Sequence, residues 1–587
     1  MPLDFRNTNT LWASILVATL QQLGLRSVVI SPGSRSTPLT VAFAATREIE
    51  AIPALDERSA AFFALGIARQ TGRAVALVCT SGTAGANYYP AVIEAAESRV
   101  PLLVLTADRP PELRHSNTGQ TIDQQKLFGT YPNWYAELAT PAVEPEMLAY
   151  LRQTVAHAWE RSHYPVPGVV HLNLPFRDPL PPLPNPAVPA LAQVLDAATF
   201  FAGISPGMPA GLTAYAASSP IAPLTKVLYE WQTCDRGLII AGVAQPADPK
   251  EYCGAIARLS HYLNFPVLAE GLSPVRNYAA LNPYLISTYD TILRQAKHAQ
   301  QLAPQVVIRI GEMPTSKVLR QWLQAINPRQ WVIDPGDRNL DPTHGRTHHL
   351  RLSVADLVAG GLPDSVFEGA SPCSPFLVDW LTAEMYQRQR LDQILTDTQD
   401  LIGSKVVWLL SQHLPQGTPL FIANSMAVRD VEWFWQPGDR AIRPFFNRGA
   451  NGIDGTLSTA LGMAHHNQSS VLLTGDLALL HDTNGLLLCP QLAGHLTIVL
   501  VNNQGGGIFE MLPIAQFEPP FERYFATPQA VNFEVLCAAY GVTYERITSW
   551  PQLVQRLNPL PERGVRVLEV RSDRQWEAQW RQGVLKE

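Results

Sequence analysis

The feature that most constrains this fold is one stretch, residues 471–509, in which two apolar runs flank a helical pattern. The first run, Val471 to Leu473, predicts a buried strand, and the second, Leu496 to Val501, predicts another. The helical pattern between them extends to about Ala493. A strand, a helix and a strand in this order predict a βαβ unit, whose right-handed crossover makes both strands parallel.

Polar residues and glycines follow both predicted strands. Gly475 and Asp476 come after the first strand, and Asn503 comes before Gly505 after the second. Because the carboxyl ends of parallel strands share one edge of a sheet, we expect Asp476 and Asn503 at the edge where open α/β sheets bind ligands. A carboxylate, an amide oxygen and a backbone carbonyl are hard oxygen ligands that suit Mg²⁺. The N–H groups that open the next helix favour phosphates at the same place.

Length and charge narrow the class of protein. A chain of 587 residues is too long for one core, so several domains are expected. Charged residues make up only 16% of the chain, which indicates extensive burial, including burial at subunit interfaces. The net charge of −6 gives no field that would attract a polyanion, so nucleic acid is not an expected partner.

The cysteines and the apolar runs indicate the compartment. The six cysteines are scattered without metal-site spacing, which predicts reduced thiols in a reducing compartment. The N-terminal residues lack a signal-peptide pattern, and the chain has no apolar run of about eighteen residues that could span a membrane. We therefore expect a soluble cytoplasmic enzyme.

Alternating strands and helices predict three consecutive α/β domains, each built on a doubly wound parallel sheet. A Pro-rich stretch at 165–189 marks the first boundary, and a Gly/Pro/Ser-rich stretch at 360–375 marks the second. The predicted domains are residues 1–185, 186–365 and 366–587.

Motifs in both terminal domains resemble those of thiamine-diphosphate enzymes. The Gly-Asp pair and the later Asn-Asn pair resemble that family's metal-and-diphosphate motif, although Leu477 stands where glycine is common. Other motifs resemble, more closely, the carboligases of menaquinone and phylloquinone biosynthesis. They are SPGSRSTPL (Ser31 to Leu39), DERSAAFFALG (Asp56 to Gly66), TSGTA (Thr80 to Ala84), DRPPELR (Asp108 to Arg114), GQTIDQ (Gly119 to Gln124), NSMAVRD (Asn424 to Asp430), NRGANGIDG (Asn447 to Gly455) and NNQGGGIF (Asn502 to Phe509). The resemblance implies that the three domains are, in chain order, pyrimidine-binding, central and diphosphate-binding. The central domain resembles its counterpart in that family only loosely.

The resemblance implies a reaction and its cofactors. It implies decarboxylation of 2-oxoglutarate on thiamine diphosphate, followed by conjugate addition of the succinyl-semialdehyde carbanion equivalent to isochorismate. Mg²⁺ or Mn²⁺ would anchor the cofactor. In this superfamily the acid-bearing domain of one subunit meets the diphosphate domain of another. We therefore expect a homo-oligomer, either a dimer or a dimer of dimers.

Glu57 is the predicted catalytic acid. Thiamine diphosphate loses its C2 proton to its own aminopyrimidine when a carboxylic acid hydrogen-bonds the ring nitrogen, and an apolar setting strengthens that bond by raising the carboxyl pKa. Glu57 precedes Ala60, Ala61, Phe62 and Phe63, which supply such a setting. The local pattern alone favours an acid that merely stabilises a helix N-terminus, and it is the diphosphate motif later in the chain that favours the catalytic role.

The resemblance also assigns residues to the ligands. The predicted cofactor-binding residues are Glu57, Ser425, Ile453, Gly475, Asp476, Asn503, Gly505, Ile508 and Phe509, of which Asp476, Asn503 and Gly505 would hold the metal. Ile453 would be the apolar wedge under the bent cofactor, and Ile508, Phe509 and Leu512 would form an apolar wall that also faces substrate.

Arginines should hold the substrates, because each substrate has two carboxylates and a guanidinium fork binds a carboxylate bidentately. Ser425, Arg429 and Arg448 are assigned to 2-oxoglutarate. The residues assigned to isochorismate are Arg35, Arg109, Gln120 and Lys317. Two departures from the family pattern, Val318 after the lysine and Gly119 before the glutamine, concern details of the isochorismate pocket.

Other functions fit the residues less well. Another thiamine-diphosphate decarboxylase or carboligase stays open as the alternative, although the arginine set and the lack of a first-domain histidine pair disfavour it. His465-His466 come late in a predicted helix of the third domain, so we interpret them as structural. A dinucleotide-dependent oxidoreductase would need a GxGxxG motif between a strand and a helix, which the sequence lacks. An inactive scaffold would not require Glu57, Asp476 and Asn503 together.

Overall fold

A computed structural model describes residues 3–185, 188, 195–204, 221–362 and 372–586. The predicted domain boundaries at 186 and at 365–366 lie outside the described residues, so the domain limits stay predictions. None of the described helices is long and apolar enough to cross a membrane.

Among the described residues, eighteen strands form three six-stranded sheets. The strands are β1 (Ser27–Ile30), β2 (Glu50–Pro53), β3 (Val75–Cys79), β4 (Leu102–Asp108), β5 (Trp134–Glu137), β6 (Val169–Pro175), β7 (Gly237–Ala241), β8 (Val267–Ala269), β9 (Leu285–Ile286), β10 (Val306–Ile310), β11 (Arg329–Ile333), β12 (Arg346–Leu350), β13 (Pro419–Ile422), β14 (Arg443–Phe445), β15 (Ser470–Gly475), β16 (His495–Asn502), β17 (Thr543–Ile547) and β18 (Gly564–Arg571).

Helices connect these strands. They are α1 (Thr8–Leu23), α2 (Thr37–Ala44), α3 (Glu57–Thr71), α4 (Ala84–Asn87), α5 (Tyr89–Glu97), α6 (Pro145–His163), α7 (Ala197–Phe200), α8 (Ile221–Gln232), α9 (Pro249–Leu263), α10 (Tyr289–Arg294), α11 (Ala296–Gln301), α12 (Lys317–Ile326), α13 (Val354–Gly361), α14 (Pro375–Asp397), α15 (Gly403–His413), α16 (Met426–Phe434), α17 (Thr456–Ala464), α18 (Asp476–His481), α19 (Gly507–Glu510), α20 (Phe533–Ala539), α21 (Trp550–Leu557) and α22 (Arg574–Lys586).

The first and third sheets follow the same path. Their orders are β2-β1-β3-β4-β6-β5 and β14-β13-β15-β16-β18-β17, and every neighbouring pair is parallel. The middle sheet has the order β12-β11-β10-β7-β8-β9 and is also parallel. The prediction of doubly wound α/β sheets is therefore confirmed.

Strand order identifies the places where ligands should bind. In an open α/β sheet the connections reverse direction at a switch point, and ligands bind outside the carboxyl ends of the strands on either side. In the first sheet the switch point lies between β1 and β3, and in the third sheet between β13 and β15. Two loops with recognised motifs, Ser31–Ser36 and Thr80–Ala84, follow β1 and β3. Ser425 and Asp476 follow β13 and β15.

By packing, the chain divides into two compact units. Unit 1 comprises Met1–Thr213, Asn447–Asn467 and His481–Gly494, and unit 2 comprises Ala214–Phe446, Gln468–Leu480 and His495–Glu587. Unit 1 therefore contains the first sheet together with α17, which lies in the chain between strands of the third sheet.

The packing of α3 against α17 explains this division. Asp56 caps α3 by accepting the Ser59 N–H, and ten consecutive residues of the helix are buried. A Cβ at Gly66 would lie 2.1 Å from the Thr459 carbonyl oxygen, and one at Gly462 would lie 2.0 Å from the Phe63 carbonyl oxygen. Only glycine allows two helix backbones to approach so closely.

The helix expected from Asp476 to about Ala493 is shorter than predicted. It ends at His481, and a 3-10 segment, Thr483–Gln491, follows it. Pro490 lies inside that segment and has no N–H to donate. Asp482, at the break, accepts hydrogen bonds from the Ser458 N–H and hydroxyl instead of continuing the helix.

Candidate active site

The predicted metal ligands of unit 2 lie together at the carboxyl edge of the third sheet. β15 and β16 are neighbours, and Asp476 and Asn503 follow them directly. Both are buried, and the Asp476 carboxylate accepts the Gly505 N–H at 2.8 Å. Burial raises the pKa of Asp476 to about 6, because its negative charge has little solvation. The site is rich in oxygen atoms and contains a poorly solvated negative charge, so it fits a hard divalent cation.

The amide of Asn503 is oriented by the C-terminal helix α22. Its Nδ2 donates to Glu577 Oε2 at 3.3 Å, so its Oδ1 is the atom left to act as a ligand. Glu577 also accepts the Gly403 N–H and the Ser572 hydroxyl at 2.7 and 2.8 Å. Metal ligands in proteins are commonly oriented in this way, by hydrogen bonds to residues that do not touch the metal.

Glycine is required in the loop after β16. Gly505 has φ +132°, and a Cβ there would lie 2.4 Å from the Ala526 carbonyl oxygen. A Cβ at Gly506 would lie 2.7 Å from the Phe525 carbonyl oxygen. Gly475 is different, because a Cβ there would meet nothing within 4 Å. There is thus open space beside Gly475, next to Asp476, where a ligand could lie.

Ser425 has a strained backbone at the start of α16. Its φ of 65° and ψ of −125° are unusual for a residue other than glycine, and such a conformation costs on the order of 1–3 kcal/mol. Arg429, one turn later, donates to the Ser425 carbonyl at 2.6 Å. The two residues assigned to 2-oxoglutarate in unit 2 are therefore in direct contact.

Four further predicted residues of unit 2, three apolar and one basic, are half-buried or exposed. Phe509 packs edge-on against Phe525, with ring centroids 5.6 Å apart, and Ile508 is half-buried. Leu512 is 43% exposed. Lys317 is exposed at the first turn of α12, where Ser316 caps the helix.

In unit 1, Arg35 and Arg109 form a basic pair near the switch point of the first sheet. Arg35 is buried, and its guanidinium donates to the Phe176 carbonyl at 2.9 Å. Burial lowers the pKa of Arg35, and the charge of Arg109 lowers it further. The buried Arg35 Nε has no hydrogen-bond partner among the described residues. Two neighbouring guanidiniums and an unused donor fit a carboxylate ligand.

Ser81 links Arg109 to Gln120 by hydrogen bonds. It was not among the predicted ligands. Its hydroxyl accepts from Arg109 at 2.6 Å and donates to the Gln120 carbonyl at 3.1 Å. Its own carbonyl accepts the Gln120 side-chain N–H at 3.0 Å. Ser81 is buried, and it lies in the recognised motif Thr80–Ala84, which was the sequence signal for it.

Glu57 is half-buried at the first turn of α3. Burial raises the pKa of the Cys79 thiol, and the charge of Glu57 raises it further, which places this carboxylate near the end of β3. Within the part of the chain that the structure describes, the Glu57 carboxylate has no hydrogen-bond or ion-pair partner. It is therefore available to a ligand.

Arg448 and Ile453 lie in the loop that leads into α17. Both are half-buried, and the Ile453 carbonyl accepts the Thr456 hydroxyl at 2.7 Å. The loop N–H groups at positions 449 and 450 donate to Glu94, a buried residue of α5 that sequence reasoning did not identify.

His465 and His466 both hydrogen-bond one carboxylate, that of Glu50. Each Nε2 lies 3.0 Å from Glu50 Oε1. His465 Nδ1 also accepts the Ala493 N–H at 3.2 Å. These contacts hold the end of α17 against Glu50 and residue 493, which fits the predicted structural role.

Comparisons with known proteins identify the family of each part of the chain. The thiamine pyrophosphate enzyme N-terminal TPP binding domain matches residues 12–127. The middle domain of thiamine pyrophosphate enzymes matches residues 210–422, and the C-terminal TPP binding domain matches residues 433–570. The three matches cover most of the chain in the predicted order.

Full-length relatives are more specific. A protein of Nostoc sp. (strain PCC 7120 / SAG 25.82 / UTEX 2576) is 61% identical over 587 residues, 100% of this chain and 98% of its own length. A protein of Gloeothece citriformis (strain PCC 7424) is 60% identical over 580 residues, 99% of this chain and 98% of its own length. Both are named 2-succinyl-5-enolpyruvyl-6-hydroxy-3-cyclohexene-1-carboxylate synthase. This chain belongs to that synthase family.

The family membership confirms the predicted resemblance. A relative from Acaryochloris marina (strain MBIC 11017), 58% identical over 587 residues, has the same name and covers 100% of this chain and 99% of its own length. The chain is therefore an enzyme of the thiamine-diphosphate class, with cofactor-binding domains at both ends.

Proposed function

We propose that this chain decarboxylates 2-oxoglutarate and adds the remaining succinyl-semialdehyde unit to isochorismate. The observation that carries the proposal is the pair formed by the buried Arg35 and the half-buried Arg109 near the switch point of the first sheet. Two adjacent guanidiniums suit a substrate with carboxylates. The names of the relatives support the same reaction.

We propose that Mg²⁺, or Mn²⁺ in its place, binds to Asp476, Asn503 and the Gly505 carbonyl. Glu577 supports this role for Asn503, because it occupies the amide nitrogen and leaves the oxygen for the metal. The open space beside Gly475 suits a diphosphate. Thiamine diphosphate, when bound, supplies the carbon nucleophile and accepts the electrons released with CO₂.

Glu57 is the proposed acid that hydrogen-bonds the cofactor aminopyrimidine. The Glu57 carboxylate has no hydrogen-bond or ion-pair partner among the described residues. It lies in the first turn of α3, and ten consecutive residues later in the helix are buried. A carboxyl group in this position can hydrogen-bond a ring nitrogen of the cofactor. Ile453, Ile508, Phe509 and Leu512 are proposed to exclude water from the reacting carbon.

The remaining polar residues are proposed to orient the substrates. Ser425, Arg429 and Arg448 would hold the carboxylates of 2-oxoglutarate. The isochorismate set would be Arg35, Arg109, Gln120 and Lys317, with Ser81 holding Arg109 and Gln120 in place. A substrate fixed by several such contacts reacts at lower entropic cost.

We also propose a homo-oligomer, in which the cofactor binds between subunits, and a cytoplasmic location. The low charged fraction of 16% supports extensive interfaces. All six cysteines are free thiols, which is typical of a reducing compartment. Light scattering at working concentration tests the first proposal, since a fully active monomer would contradict it. The proposed domains remain 1–185, 186–365 and 366–587.

A turnover assay tests the reaction. Purified protein is mixed with thiamine diphosphate, Mg²⁺, 2-oxoglutarate and isochorismate, and isochorismate loss is followed while each component is omitted in turn. Loss that requires every component supports the proposal. CO₂ release from another 2-oxo acid without isochorismate loss would support the thiamine-diphosphate assignment and contradict the assignment of both substrates.

A further inference from the structure

The loop that carries Arg448 is fixed by a buried carboxylate. Glu94, in α5, is 3% exposed. Its Oε1 accepts the Gly449 N–H at 3.0 Å, and its Oε2 accepts the Ala450 N–H at 2.7 Å. These two N–H groups belong to the residues directly after Arg448, so the carboxylate fixes the backbone on that side.

The other side of Arg448 is fixed as well. Asn447 is buried, and its side-chain N–H donates to the Thr459 hydroxyl at 3.0 Å. Arg448 therefore stands between two anchored residues, Asn447 and Gly449, which together restrict the direction in which its side chain leaves the loop. The loop also packs against α5 at Gly449, where a Cβ would lie 2.7 Å from Glu97 Cβ.

Glu94 is itself held in place by two further contacts. Arg69, in the last turn of α3, donates to Oε1 at 2.7 Å, and the Ser98 hydroxyl donates to the same atom at 2.6 Å. The Arg69 and Glu94 side chains are only 3% and 4% exposed. A buried carboxylate is stable only when it is paired and hydrogen-bonded, and these four donors satisfy Glu94.

We propose that Glu94 is a positioning residue for the 2-oxoglutarate carboxylate contact, and that it acts through Arg448. This inference rests on the proposed function, in which Arg448 binds 2-oxoglutarate. Glu94 touches neither substrate. It fixes the two peptide units after Arg448, and its negative charge is what allows one side chain to accept from both of them and from Arg69.

The test is the variant E94Q, which keeps the shape and removes the charge. Its amide can accept with one oxygen only, and its NH₂ group would face a backbone N–H. We expect the KM for 2-oxoglutarate to rise about 10- to 100-fold, as for other misplaced contacts, while the KM for isochorismate stays unchanged. The variant E94D, one methylene shorter with the charge kept, should lie between E94Q and the unaltered chain.

A double-mutant cycle distinguishes positioning from a general structural role. R448K should raise the KM for 2-oxoglutarate directly, and E94Q added to R448K should have much less effect than E94Q alone, because both act on one contact. The matched control is E50Q, which removes a carboxylate bonded to His465 and His466 at the other end of α17. It should leave both KM values unchanged.

The possible results distinguish an error in the proposed reaction from an error in the proposed role of Glu94. If the unaltered chain does not consume isochorismate, the proposed function is wrong. If that chain is active but E94Q leaves the KM for 2-oxoglutarate unchanged, changes both KM values equally, or adds independently to R448K, the role of Glu94 is wrong. If E94Q does not fold, E94D with R448K is judged by the same criteria.

Discussion

Removal of Arg581 should strongly destabilise unit 2. Arg581 lies in α22 and is 1% exposed. It binds both carboxylate oxygens of Asp430 at 2.7 Å and Glu577 at 3.0 Å. The cluster thus holds two buried negative charges against one buried positive charge.

The expected loss in the free energy of unfolding follows from this arrangement of charges. Burial raises the pKa of Asp430, and Arg581 opposes that rise. In R581M, of similar length but uncharged, both carboxylates stay buried without their cation. Breaking a buried ion pair in this way costs about 3–5 kcal/mol. In the double variant D430N/R581M one of the two charges is also removed, so part of the loss should be recovered.

The assay is urea unfolding of the cofactor-free protein, followed by fluorescence, for the unaltered chain and both variants. A lower midpoint for R581M with partial recovery in D430N/R581M supports the argument. R581K is the matched control, since it keeps the charge and loses the bidentate geometry, and it should lie between the unaltered chain and R581M. Equal midpoints for R581M and the unaltered chain would refute the reasoning.

Three further predictions concern the cofactor site and its support. Because burial raises the pKa of Asp476 to about 6 and a metal needs the ionised form, Mg²⁺-dependent binding of thiamine diphosphate should weaken by about tenfold per pH unit below pH 6. Fluorescence titration measures this, and D476N should bind weakly with no such pH dependence. E57Q should lose turnover in the isochorismate assay while its melting temperature is unchanged, and retained turnover would contradict the proposed acid. G66A should lower stability by about 1–3 kcal/mol, because its Cβ would lie 2.1 Å from a backbone oxygen of α17. The control G254A, in α9 with nothing within 4 Å of its Cβ, should not destabilise, and a loss as large as that of G66A would refute the close-packing argument.

Much of the fold follows from local sequence patterns. The predicted strands Val471 to Leu473 and Leu496 to Val501 lie within the observed strands β15 and β16. The βαβ pattern correctly placed Asp476 and Asn503 at the ends of neighbouring parallel strands. These predictions depend on periodicity over a few residues, which a single sequence contains.

Other features depend on contacts between distant parts of the chain. The break after His481 involves a side-chain contact between Asp482 and Ser458. Glu94 and Glu577 act on backbone and side-chain groups far away in the sequence. No local pattern distinguishes such an acid from an ordinary helix residue, so their roles required coordinates.

The division of unit 1 among three separate chain segments has a consequence for synthesis. The first segment ends at Thr213, and the next begins at Asn447, more than two hundred residues later. At translation rates of about 5–20 residues per second, the nascent first segment waits about 10–50 s for α17. Throughout that wait the face of α3 around Phe63 and Gly66 has no native partner, so a newly made chain should bind holding chaperones at this stage.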